Sequence, residues 1–85
     1  MSSELEVTET LDVKGESCPM PVVKTRQAVD QLADGEVLEV VATDSGSMSD
    51  IAGWAESTDG VELRAQEEAD EGGEAVYKHY VAKVA

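Results

Sequence analysis

Residues 11–29, LDVKGESCPMPVVKTRQAV, change their repeat in the middle. Up to Val13 the apolar side chains take alternate positions: Leu5, Val7, Leu11 and Val13 are separated by Glu6, Thr8, Thr10 and Asp12, and only Glu9 breaks the odd series. A period of two describes a strand with one buried face, here over residues 5–13. Past the prolines, Val22, Val29 and Leu32, helped by Thr25 and Ala28, recur at helical spacing over residues 19–32. The junction between the two periods holds the only cysteine of the chain, Cys18, and its only two prolines, Pro19 and Pro21.

Gly35 is placed to end this first helix as a C-terminal cap. EVLEVVAT, residues 36–43, is β-rich and nearly continuously apolar, which suits a central strand covered on much of both faces. Asp44-Ser45-Gly46-Ser47 reads as a turn, with Ser47 as the N-cap of a second helix. Met48, Ile51 and Trp54 or Ala55 share one side of that helix, and Asp59-Gly60 ends it. Val61, Leu63 and Ala65 alternate as a third strand. EEADEGGE, residues 67–74, reads as an acidic, solvated hairpin loop. The last strand covers residues 75–84, with Val76, Tyr80, Ala82 and Val84 on one face.

The order is β-α-β-α-β-β, in one domain over residues 1–85, without repeat or linker. Two helices cover two faces of a four-stranded sheet poorly. The expected fold is therefore α+β: a two-layer α/β sandwich, with a four-stranded mixed sheet and both helices on one face.

Nineteen acidic residues face six basic ones, for a net charge of -13. The periodic apolar residues argue against disorder. The charge instead fits a folded protein adapted to high salt, where self-repulsion is screened. It disfavours nucleic acid and anionic membrane surfaces as partners, because phosphate contacts need clustered Lys and Arg. MSSELEVTET has no basic start and no apolar run, so no signal peptide is read there. No stretch reaches the length of a membrane span. A lone cysteine builds neither an internal disulfide, nor a CxxC pair, nor a Cys-based zinc site. The expectation is a cytoplasmic protein with a free thiol, without metal or organic cofactor.

Proline is favoured at the first helical position, where its φ is preset and its missing N–H would be unpaired anyway. Pro19 then reads as that position, Cys18 as the N-cap, and Pro21 as a third residue that also lacks a donor. The Met20 N–H remains to meet the sulfur. Pro19, Met20 and Pro21 thus hold the sulfur at the positive end of the helix dipole, where a thiolate is favoured. Lys14, Lys24 and Arg26 lie within eight residues of Cys18. The competing view is that free cysteine is usually buried and inert. The polar neighbours Glu16 and Ser17 weigh against it here.

Cys18-Pro19-Met20-Pro21 opening a helix, preceded by Leu11-Asp12-x-x-Gly15, resembles the TusA/SirA family of small sulfur-carrier proteins. The similar segments are LDVKGESCPMPVVKTRQAV (11–29), GEVLEVVATD (35–44) and SDIAGWAE (49–56). The resemblance implies a cytoplasmic two-layer sandwich whose Cys18 accepts sulfane sulfur as a persulfide and hands it to a partner. It implies donor proteins of the cysteine desulfurase or rhodanese type. The implied acceptor proteins serve tRNA thiolation, molybdenum-cofactor synthesis or sulfur oxidation. Arg26 falls on a helix position that serves partner docking in related carriers, and Lys24 is grouped with it. Asp44 matches an Asp that usually precedes proline, but Ser45 stands in place of that proline. Family members often carry Glu where this chain has Met20.

Plainer readings stand beside these. Arg26 and Asp30 have the i, i+4 spacing of a surface ion pair. Asp44 has the chemistry of an Asx turn. Trp54 reads as core, and His79 reads as remote from the thiol. The rival function is a non-catalytic interaction module in which the Cys-Pro-x-Pro turn only caps a helix. A monomer is expected.

Overall fold

The computed structural model describes residues 7–16 and 20–84. Its elements are β1 (Glu9–Val13), α1 (Met20–Val29), β2 (Val37–Ala42), α2 (Ser47–Glu56), β3 (Val61–Glu71) and β4 (Glu74–Lys83). One mixed sheet has the order β1-β2-β4-β3. β1 pairs parallel to β2, and β4 runs antiparallel to both β2 and β3. This is the two-layer arrangement expected from the sequence.

Both helices pack on one face. Leu38, Val40 and Ala42 of β2 sit beside Val13 of β1 and Val81 of β4, and meet Val29 and Ile51 from the two helices. Leu32, just past α1, closes the same cluster, and Trp54 packs against it as a core residue should. Each helix buries positions spaced by about one turn: Pro21, Thr25 and Val29 in α1, and Ser47, Ile51 and Ala55 in α2. Leu11 and Val13 keep the parity the alternation assigned them. Val7 is exposed, because β1 begins only at Glu9. Residues 5 and 6, including Leu5, lie outside the described residues.

Several expectations are corrected. Gly35 does not cap α1, which ends at Val29. Its φ of +88° instead serves the turn into β2, where its N–H donates to the Lys83 carbonyl at 2.6 Å. Ser47 is the first residue of α2 rather than its cap, and the capping position is Gly46. The acidic stretch is not a long loop. β3 runs to Glu71 and β4 starts at Glu74, joined only by Gly72 and Gly73. Both glycines have positive φ, 62° and 88°, as a tight two-residue hairpin requires.

The last strand shares its even-numbered face as expected, but that face turns away from the helices. Leu38 pairs with Val81 and Val40 with His79, so the odd residues enter the core. On the other face the Tyr80 hydroxyl donates to Glu39 Oε2 at 3.0 Å, and Thr10 Oγ1 donates to Glu39 Oε1 at 3.2 Å. Burial, then the Glu39 carboxylate, push the Tyr80 phenol up to about 12.

β3 carries a register shift between Leu63 and Ala65. One extra residue in a strand reverses the facing of everything after it. Val61 and Leu63 pack on the helix side, Ala65 pairs with Tyr80 on the far side, and Gln66 returns to the helix side opposite His79. The expected Val61–Leu63–Ala65 alternation is therefore broken at its last member.

Candidate functional site

Because β1 and β2 are parallel, the segments leaving their C-terminal ends lie together. One leads through residues 14–19 into α1, and the other through residues 43–46 into α2. The antiparallel β4 brings its N-terminal half to the same end. Cys18 belongs to the first segment, and Ser17, Cys18 and Pro19 lie outside the described residues. The sequence-based capping positions of Cys18 and Pro19 therefore remain expectations.

The residues on either side of Cys18 are tied down. Gly15, at φ +83°, donates its N–H to Thr43 Oγ1 at 2.9 Å, joining the two segments. The Glu16 N–H reaches the Val13 carbonyl at 3.2 Å. The Lys24 ammonium sits 2.5 Å from Glu16 Oε2. Lys14 pairs with Asp12 at 3.7 Å, and its N–H meets Asp12 Oδ1 at 2.9 Å. On the helix side Pro21 is fully buried, and its carbonyl accepts the Thr25 hydroxyl at 2.6 Å. Pro21 thus anchors α1 to the core besides lacking an N–H where none is needed.

Met20 is 39 % exposed, a large apolar side chain offered to solvent two residues from Cys18. Lys24 lies one turn further along that face. Arg26 is exposed as well, but sits about 120° around the helix from Met20. Among the described residues Arg26 makes no ion pair, and the i, i+4 pair with Asp30 does not form. Asp44 Oδ1 accepts the Gly46 N–H at 3.1 Å, and its carbonyl accepts the Ser47 N–H at 2.9 Å. This is the Asx-turn role.

Under the start of α2 lies a polar group that sequence reasoning missed. His79 is fully buried, with Nε2 3.0 Å from Ser47 Oγ and Nδ1 2.9 Å from Gln66 Nε2. The same amide nitrogen donates to the Met48 carbonyl at 2.8 Å. An amide nitrogen only donates, so Nδ1 accepts and neutral His79 carries its proton on Nε2, which donates to Ser47. Burial lowers the imidazole to about 4. With both ring nitrogens engaged, His79 has no free position from which to act as base for a thiol. It fastens the first turn of α2 to the sheet.

Among the described residues no three His, Cys, Asp or Glu side chains are grouped to hold a metal ion. None of the described helices is long and apolar enough to cross a membrane.

Residues 9–83 match the family described as Sulfurtransferase TusA. A protein of Halobacterium salinarum that bears a provisional sulfur-carrier name is 69% identical over 83 residues, 98% of each chain. The sulfur carrier protein TusA of Allochromatium vinosum is 38% identical over 65 residues, covering 76% of this chain and 82% of its own. Among solved structures, a SirA-like protein from Desulfitobacterium hafniense superposes with a TM-score of 0.67 at 24% identity, over 88% of this chain and 97% of its own. That last likeness concerns the fold.

Proposed function

The chain belongs to the TusA sulfurtransferase family, and on that premise we propose that it is a sulfur carrier whose acceptor atom is the Cys18 sulfur. The single observation behind this reading is the family match over residues 9–83, within which Cys18-Pro19-Met20-Pro21 joins β1 to α1.

The Cys18 thiolate attacks the outer sulfur of a donor persulfide. The donor S–S bond breaks, the donor leaves as a thiolate, and Cys18 holds the sulfur as a persulfide. An acceptor thiolate then attacks that outer sulfur, and Cys18 leaves as a thiolate. Each step exchanges one S–S bond for another, so there is no net oxidation or reduction. One cysteine suffices, and a neighbouring thiol would release the sulfur early.

Donors of the cysteine desulfurase or rhodanese type fit this chemistry. Acceptors in tRNA thiolation, molybdenum-cofactor synthesis or other sulfur metabolism fit it equally. The protein acts as a cytoplasmic monomer, with Met20 and Arg26, exposed on two different sides of α1, offered to its partners. Incubation with a persulfide donor, followed by intact-protein mass measurement, tests the reading. Wild type gains the mass of one sulfur and Cys18→Ser gains none. A wild type that gains nothing is a docking module instead.

A further inference from the structure

We propose that the free edge of β3 at Val61 and Leu63, with the groove beside it along α2, is a docking site for an extended segment of a partner protein. The segment it fits carries apolar side chains at alternate positions and Lys or Arg at its ends. This docking is separate from sulfur transfer and does not depend on it.

β3 is the last strand of the sheet, so one of its edges has no strand beside it among the described residues. The Val84 N–H donates to the Gly60 carbonyl at 2.9 Å, so the backbone of Gly60 faces β4. In an antiparallel pair the backbone groups of successive residues face opposite ways. Val61 stands opposite Lys83 and Leu63 opposite Val81, so the N–H and C=O groups of Val61 and Leu63 point to the free edge. Their side chains lie on the helix side, half-buried.

A groove of about 600 Å³ runs along that edge. Its walls come from α2, the turn after it and β3, without a residue of α1 or β4, so it opens on the outer side of α2. The helix wall includes two small side chains, Ala52 and Ala55, which leave room beside Val61 and Leu63. A strand added here would take main-chain hydrogen bonds from Val61 and Leu63 and place every second side chain in the groove. The register shift after Leu63 limits the match to about four residues, so binding is weak and transient.

Charge selects the occupant. Glu56 and Asp59 border the groove, both exposed and without an ion pair among the described residues. Arg64, the next cation along the chain, is held by Glu62 at 2.7 Å. A second copy is a poor fit: β3 carries five acidic residues against Arg64 alone, and two such edges side by side repel. A strand ending in Lys or Arg meets the opposite charge. The site lies level with the start of β2, at the other end of the sheet from residues 14–16 and 43–46, so a partner held here leaves that end open.

The experiment uses the full chain at the lowest salt that keeps it folded. The probe is the end-blocked peptide Lys-Thr-Val-Thr-Val-Thr-Val-Lys, titrated to millimolar concentration and followed by amide NMR and hydrogen exchange. The Val61 and Leu63 amides are expected to shift and to exchange several-fold more slowly as peptide is added, with Ala52 and Ala55 shifting beside them. The same peptide with Glu at both ends binds several-fold more weakly. Glu56→Lys narrows or reverses that preference. Ala52→Leu fills the groove and loses the binding, while melting near wild type. Unmoved Val61 and Leu63 amides, a response centred on other residues, equal binding of the two peptides, or a folded Ala52→Leu that binds like wild type overturns the proposal. So does protection of these amides that grows with protein concentration in the absence of peptide, which assigns the edge to a second copy instead.

Discussion

His79 Nε2 and Ser47 Oγ meet at 3.0 Å inside the core, joining the middle of β4 to the first residue of α2. With Gln66 on the other ring nitrogen, the imidazole is fully partnered in its neutral form and only in that form. Protonation would place a hydrogen on Nδ1 facing the Gln66 amide donor.

The sign of the pH dependence follows. Folding lowers the imidazole from its ordinary value near 6.5 to about 4, so the unfolded chain takes up the proton first. This contribution to stability is complete above about pH 6.5, falls as pH drops toward 4, and is lost below it. The whole difference amounts to about 3 kcal/mol. His79 is the only histidine of the chain, so a single imidazole signal reports it in an NMR titration. The expected midpoint is well below 6; a midpoint near 6.5 contradicts the buried neutral imidazole.

Gln66→Leu should destabilise the protein even though a larger apolar side chain enters. It leaves the Met48 carbonyl and His79 Nδ1 without their donor, which costs about 1–3 kcal/mol. Glu67→Leu, the next residue and exposed, should cost far less. Denaturant unfolding of the two variants side by side checks this, and equal midpoints would contradict it.

Lowering salt should weaken the folded state. With a net charge of -13, screening at molar salt suppresses repulsion that dilute buffer restores. The measurement is the unfolding midpoint in molar salt and in dilute buffer. An identical midpoint in both would remove the case for high-salt adaptation.

Arg26→Glu should slow sulfur transfer to a protein acceptor several-fold while leaving loading from a small donor nearly unchanged. The exposed guanidinium of α1, without an ion pair among the described residues, is the reason. Rates of the two reactions compared on one preparation decide it. If both fall together, Arg26 is structural.

The architecture was readable wherever the apolar period stayed intact. Leu11 and Val13 announced the buried face of β1, and Thr25, Val29 and Leu32 that of α1 and its exit. The misreadings cluster in β3 and β4. Ala65 continued the Val61–Leu63 alternation on paper, but the register shift after Leu63 turned it outward and brought polar Gln66 inward. A bulge leaves no compositional mark, so nothing in the sequence paired Gln66 with His79. Glu67 to Glu71 looked like a loop because acidic residues are poor strand formers. Pairing with Glu74–Lys78, set by the Gly72–Gly73 turn, makes them a strand nonetheless. At the candidate site, the Cys18-Pro19-Met20-Pro21 motif was singled out by residue type alone. Glu16 and Thr43 were not: the Glu16–Lys24 pair forms only once the loop after β1 folds back on α1, and the Gly15–Thr43 bond only once β1 and β2 lie side by side.

The central claim is that Cys18 both takes and gives up one sulfur atom. The most direct measurement loads the protein from a donor carrying isotopically labelled sulfane sulfur, removes the donor, and adds an acceptor thiol. Intact-protein mass is followed throughout. The account predicts a gain of one labelled sulfur on Cys18, its complete loss on addition of the acceptor, and recovery of the label in the acceptor. A protein that never gains the mass, or that retains it in the presence of the acceptor, contradicts the account.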